Sequence, residues 1–325
     1  MPLIVGVPGP TLSSDELSIL ERVQPAGVIL FSRNIETAEQ TRDLVTEFKQ
    51  LEPRPVVSVD LEVGLVNRLS AVWGDLPTPR AAGAAGEGAV RALGEAAGAA
   101  CRNLGIDLDF APAVDLGCPG GCLCEQERCL SDDPDRVGEL AKLFVEGLAE
   151  WGVTGCAKHF PGLGTVPGDT HEELPVLDLD DEELQRHLSV FEELGPTIPV
   201  VMVGHVVVPG LGDSERPASL SRTVVEQAIR LPGSPVVIAD DLEMGALDGY
   251  GSMAERVAAA IRARNHGILI CNAFDRLEPI MAHLTELGGA DSTISTRMQE
   301  MSARMGTLRT EVRQRAAAVP APSDT

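Results

Sequence analysis

Eight short runs rich in Val and Ile, each followed by a longer helical stretch, leave this chain few folds to choose from. The runs are residues 3–7, 27–31, 55–60, 107–114, 153–159, 200–205, 236–240 and 267–271. They show little polar alternation, which is how strands buried on both faces of a parallel sheet read. Amphipathic or Ala-rich segments lie between them, at 13–22, 37–51, 87–104, 135–151, 180–193, 223–230, 252–265 and 275–287. The first opens on Ser13-Ser14-Asp15, a run suited to capping a helix N-terminus. Eight strand–helix repeats in 325 residues predict a (β/α)8 TIM-type barrel, since the length suits closure. An open doubly wound sheet shares the local grammar and is the runner-up.

No Gly/Ser linker divides the chain, so residues 1–318 are expected to form one domain. A last helix, 293–318, is expected to pack on the outside, with 319–325 as a frayed tail. The chain has 49 acidic against 26 basic side chains, a net charge of −23. That field repels nucleic acid and anionic membranes, and neither is expected as a partner. No run of about 18 apolar residues suggests a transmembrane helix. Residues 1–9 carry no basic n-region, so they do not read as a signal peptide. Seven cysteines, an odd number in a long chain, argue against a disulfide framework. The expected setting is cytoplasmic and mostly reducing.

A parallel barrel builds its active site at the C-terminal ends of its strands. Here the third predicted strand ends at Asp60 and leads to Arg68, and the fifth ends at Lys158-His159. The sixth ends at His205 and the seventh at Asp240-Asp241, while a Gly/Pro-rich loop after the fifth carries Asp169-Thr170-His171. Singly, each has a bland explanation: Asp60 as a helix cap, Lys158 and His159 as a solvated strand end, Asp240-Asp241 as rim charges. Their concentration at successive strand ends makes the bland explanation the weaker one. Neighbouring strand residues point to opposite sides, so only one of Asp240 and Asp241 is expected to face the axis. His205 is given no catalytic role.

The segment Lys158-His159-Phe160-Pro161-Gly162-Leu163-Gly164, with Asp169-Thr170-His171 and Leu174-Pro175-Val176, resembles a signature of glycoside hydrolase family 3. The likeness is to the single-domain bacterial β-N-acetylglucosaminidases. Residues 27–34, Phe110-Ala111-Pro112, residues 217–221 and Ala239-Asp240-Asp241-Leu242-Glu243-Met244 extend it, in the family's order, from about Pro2 to Asn272. The resemblance implies a TIM-type barrel with Asp240 as nucleophile and His171 as general acid/base oriented by Asp169. It further implies that Asp60, Arg68, Arg128, Lys158 and His159 bind an N-acetylglucosamine unit. The implied activity is a retaining exo-β-N-acetylglucosaminidase acting on small glycans, peptidoglycan fragments above all.

The chemistry is coherent with those residue types. A retaining glycosidase needs a carboxylate on one side of the anomeric carbon and a proton donor on the other. An imidazole with an ordinary pKa of about 6.5 can be that donor near neutrality. No metal or organic cofactor is needed, and the expected partner is a small carbohydrate. Two rivals stand beside this reading: a phosphorylase on the same scaffold, and a sugar-binding homologue that has lost catalysis. Another glycosidase specificity, such as β-glucosidase, is disfavoured by the Asp-x-His pair.

Three features depart from the family pattern. The loop Asp60-Leu61-Glu62-Val63-Gly64-Leu65-Val66-Asn67-Arg68 has apolar residues where the family has Gln, Gly and Arg. A positive φ at Val63 would be costly for a β-branched residue. Leu163 replaces a histidine between two glycines. Residues 117–129 hold Cys118, Cys122, Cys124 and Cys129 at spacings that match no standard zinc or iron–sulfur motif. They are weak metal candidates, and thiols without metal or a loop disulfide are expected instead. With one Tyr and two Trp in the chain, sugar recognition would rest on polar clamps rather than ring stacking.

Overall fold

The computed structural model describes residues 1–166 and 173–320. Ten strands occur among them: β1 (Leu3–Gly6), β2 (Gly27–Leu30), β3 (Val56–Val59), β4 (Leu61–Val63), β5 (Val66–Asn67), β6 (Leu108–Asp109), β7 (Thr154–Phe160), β8 (Val200–Val203), β9 (Val236–Ala239) and β10 (Gly267–Ile270). Eight of them close into a parallel barrel in the order β1-β10-β9-β8-β7-β6-β3-β2. β1 meets β2 on one side and β10 on the other, with Ile4 opposite Gly27 and Leu269. Closure leaves the barrel no edge, which excludes the open doubly wound sheet. β4 and β5 form a separate antiparallel hairpin directly after β3.

Period-2 alternation divides the apolar residues between two layers. Ile4, Ile29, Val56, Leu108, Val200, Met202, Val236, Ile238 and Leu269 belong to the smaller cluster, which fills the barrel. Leu3, Val5, Val28, Leu30, Val57, Val59, Val237 and Ile268 belong to the larger cluster, under the surrounding helices. Several of those helices start where capping chemistry starts them. Ser13 and Ser252 each form a capping box, with Glu16 and Glu255, and Thr37, Asp133 and Asp180 cap their helices with a side-chain oxygen.

Three expectations need correction. The fourth barrel strand was expected over 107–114 but is the two-residue β6. Beyond it the pairing with β7 turns irregular: Cys156 N donates to the Ala111 carbonyl and Lys158 N to that of Pro112, and one isolated bridge follows, Ala113–Lys158. The last helix, Ser292–Ala318, does not simply pack on the outside. Met305, Leu308 and Val312 join the barrel-interior cluster, and Arg304 and Arg313 donate to carbonyls ahead of β9 and β3. It therefore closes the N-terminal mouth of the barrel, and access is left at the opposite end. The β4–β5 hairpin and the short helices Ser70–Trp73 and Pro79–Ala85 were not anticipated.

Candidate active site

At the C-terminal end of the barrel lies a pocket of about 190 Å³. Its lining includes Asp60, Arg68, Arg128, Lys158, His159 and Asp240, which are all the predicted catalytic and sugar-binding residues within the described part of the chain. Asp169 and His171 lie outside the described residues. Asp241, Glu62, Phe31, Met202, Met244, Cys122 and Cys271 complete much of the wall.

The densest chemistry is a buried charge network. Lys158, at 3% exposure near the end of β7, places Nζ 2.6 Å from Asp60 Oδ1 and 2.7 Å from Glu62 Oε1. Arg128 clamps Glu62 with two bonds of 2.7 Å, Nε to Oε2 and one terminal nitrogen to Oε1. Fork-to-fork pairing of this kind fixes a guanidinium in orientation as well as position. Burial would push the Glu62 carboxyl up, but Arg128 and Lys158 outweigh it and hold the group well below the usual glutamate range. Burial would likewise lower Lys158, and its two carboxylates hold it above the ordinary lysine value.

Glu62 was missed in the sequence as a functional position. The signal was available: Asp60 and Glu62 are two residues apart on extended chain and so share a face. Asp115 was missed as well. Its buried carboxylate takes His159 Nδ1 at 2.8 Å and the Leu163 amide at 2.6 Å, which sets the imidazole against the pocket wall. Leu163, in place of the family's histidine, is buried and lines the pocket through its side chain.

Arg68 and Arg33 lie over the Phe31 ring, 5.8 and 4.5 Å from its centroid. Arg33 also ties strand ends together, with Nε donating to Val7 O at 3.0 Å and a terminal nitrogen to Asn272 Oδ1 at 3.0 Å. Arg68 Nε is buried with no hydrogen-bond partner among the described residues. An unmet donor of this kind beside a pocket is a group that a ligand can satisfy.

Asp240 and Asp241 follow β9, and both line the pocket. Their surroundings push them apart. Burial would raise Asp240, but His205, His159, the Asp241 amide (2.8 Å) and Lys158 together bring it below the ordinary aspartate value. Asp241 is raised to about 7 by burial and by Glu243 and Asp240. Asp241 Oδ1 is already committed to the amides of Glu243 and Cys271, at 3.2 and 3.3 Å. Asp240 is thus the member of the pair that stays ionised. His205 sits beneath them, joined to Ser219 Oγ at 2.7 Å and to the Asp241 carbonyl at 2.8 Å.

The sequence left the cysteine loop open. None of its four thiols is bridged. Among the described residues no three His, Cys, Asp or Glu side chains converge as a metal site. Val63 has φ of 66° and Gly64 of 56°, so the β4–β5 turn does demand the backbone that was flagged as costly. No helix among the described residues is long and apolar enough to cross a membrane.

A closed parallel barrel with an ionised carboxylate, buried ion pairs and a small polar pocket at its C-terminal rim defines an enzyme of the (β/α)8 class. The chain belongs to glycosyl hydrolase family 3: the family's N-terminal domain description matches residues 4–303. A beta-hexosaminidase of Xylella fastidiosa (strain 9a5c) is 34% identical over 282 residues, 83% of each chain. One from Pseudomonas aeruginosa (strain LESB58) is 31% identical over 319 residues, 96% of this chain and 93% of that one. Among solved structures, native NagZ from Neisseria gonorrhoeae superposes with a TM-score of 0.78 at 28% identity, covering 98% of both chains. A β-N-acetylglucosaminidase from Paenibacillus sp. str. FPU-7 gives 0.86 at 27% identity, covering all of this chain but 63% of that longer one.

Proposed function

We propose that the protein is a retaining exo-β-N-acetylglucosaminidase. The observation that carries this is Asp240: a carboxylate at the end of β9 on the wall of the C-terminal pocket, which it shares with Asp60, Lys158, His159, Arg68 and Arg128. Asp240 attacks the anomeric carbon and forms a glycosyl ester while His171 gives its proton to the leaving oxygen. Water then enters from the face the leaving group vacated, His171 takes its proton, and the sugar departs with retained configuration. Asp169, by its place in the motif, accepts from the other ring nitrogen and favours the imidazolium.

The remaining groups bind. Asp60 accepts from sugar hydroxyls, and Lys158, Arg128, Arg68 and His159 donate to sugar oxygens. About 190 Å³ falls below the roughly 300–1,000 Å³ of pockets for drug-sized ligands, which suits one terminal sugar. We therefore assign small N-acetylglucosamine-terminated glycans as the substrate class, peptidoglycan fragments being the family-implied case, with the cytoplasm as the site of action.

The test is release of 4-nitrophenol from 4-nitrophenyl β-N-acetylglucosaminide, with and without phosphate. Wild type should turn over, and Asp240→Asn should fall by about 10³-fold or more. A phosphate-dependent rate yielding sugar 1-phosphate would reassign the protein as a phosphorylase. Sugar binding without turnover would make it a binding protein.

A further inference from the structure

The floor of the barrel, at the end opposite the pocket, carries a second cavity, of about 280 Å³. Lys49, Arg54, Arg102, Arg313 and Asp107 line it, each from a different element. Lys49 is in the last turn of the helix Ala38–Gln50, Arg102 in that of Glu87–Leu104, and Arg313 late in the helix Ser292–Ala318. Arg54 stands just ahead of β3 and Asp107 just ahead of β6. In a chain of net charge −23, four cations here face one carboxylate. Asp107 Oδ1 lies 3.6 Å from Lys49 Nζ and 3.5 Å from an Arg54 terminal nitrogen, while its Oδ2 accepts from the Val57 amide at 3.1 Å.

The bland account is that cations settle where helices end, because the last carbonyls attract them. It covers part of the contacts. Lys49 donates to Gly105 O, Arg102 to Ala316 O and Val319 O at 2.9 and 3.0 Å, and Arg313 to Arg54 O at 3.2 Å. Carbonyls are neutral, however, and leave the excess charge uncancelled. They also leave donors unmet: Arg54 Nε and Arg102 Nε are buried with no hydrogen-bond partner among the described residues. Burial lowers the Lys49 ammonium from its ordinary value; Asp107 opposes that, and Arg54 and Arg102 push the same way as burial. An anion that accepts several hydrogen bonds answers all three features at once.

We propose that this cavity binds phosphate, as the free ion or as the phosphate group of a small monoester. Guanidinium groups pair with phosphate oxygens through a planar fork, and Lys49 adds a point charge. Bound there, phosphate joins the ends of three helices to the entrances of β3 and β6. It stabilises the floor and is independent of the reaction performed at the other end of the barrel.

The experiment titrates the full-length protein calorimetrically with sodium phosphate near neutral pH, against sodium chloride of equal ionic strength, and repeats the titration with glycerol 3-phosphate. One phosphate should bind per chain, and the melting temperature should rise with phosphate but not with chloride. Arg54→Gln and Arg102→Gln should each weaken binding by about tenfold or more. Arg313→Gln, at an exposed position where the fold is least at risk, should weaken it by about threefold. Arg68→Gln, in the active-site pocket, should leave it unchanged. Tighter binding of glycerol 3-phosphate than of phosphate would support a monoester as the ligand, and equal or weaker binding would support the free ion. No heat and no rise in melting temperature at millimolar phosphate, or an effect that chloride reproduces, would overturn the proposal. So would binding that survives the three floor variants and is lost in Arg68→Gln, which would put the phosphate in the pocket.

Discussion

Replacing Glu62 by Gln tests the buried network most directly. The amide keeps the shape of the side chain and one acceptor, but it turns an N–H₂ group toward cations already held 2.7 Å away. At 1% exposure, solvent cannot replace the missing charge. Breaking a buried ion pair by removing one partner costs about 3–5 kcal/mol. Taking the lower figure, with roughly 2–4 °C lost per kcal/mol in a domain of this size, the melting temperature should fall by roughly 6–12 °C. Arg128 loses its anchor, so KM for the nitrophenyl glycoside should rise more than kcat falls. The pH dependence carries a sign. Because Glu62 is held below its ordinary value, its contribution is fully present above the unfolded pKa of about 4.3 and is lost as pH falls toward the folded value. The melting-temperature gap between wild type and variant should therefore be flat from pH 8 to about 5 and shrink below about 4.3. A gap under about 2 °C at pH 7 with an unchanged KM would refute the view that this carboxylate organises the site.

Asp241 carries the opposite sign. Its carboxyl is raised to about 7, so its contribution is greatest below the unfolded value near 3.9 and is lost as pH rises through 7. Asn can still accept from the Glu243 and Cys271 amides. Asp241→Asn should therefore gain thermal stability relative to wild type between pH 5 and 8, and a constant difference in paired melts would contradict the assignment. Gly164 has no room for a side chain, since a Cβ there would lie 1.7 Å from the Leu116 carbonyl oxygen. Gly164→Ala should destabilise by about 2–3 kcal/mol, readable as a lowered denaturant midpoint with an unchanged slope.

The barrel was legible because its signal is one-dimensional. Strands buried on both faces must be apolar along their length, and the residues that end them fall on one rim whatever the register. Strand ends therefore located Asp60, Lys158, His159 and Asp240 before any contact was known. What escaped was whatever depends on distant partners. The apolar run 107–114 was visible, but that its pairing would turn irregular after two residues depends on the register with β7. The last helix was expected to pack on the outside, and its role in closing the barrel floor is set by the open mouth it meets, which no local pattern encodes. Glu62 carried no label as a site residue because its partners, Lys158 and Arg128, are 96 and 66 positions away.

Val63 shows how local and tertiary effects trade. A β-branched residue at φ of 66° should cost roughly 1–2 kcal/mol. Read locally, that is a cost with no return. The side chain is nevertheless fully buried, and burying a Val contributes about 1.5–3 kcal/mol, enough to offset the backbone. The next departure, Leu65, is 70% exposed and stands clear of the pocket, so it alters the hairpin's surface rather than its chemistry. Meanwhile Asp60, Glu62 and Arg68, the polar residues that flank the turn, all line the pocket. The loop has thus exchanged backbone ease for packing at Val63 and a charge for an exposed apolar side chain at Leu65, while keeping the three charged groups that line the pocket. That pattern is expected when the geometry of those charges is what the fold must preserve.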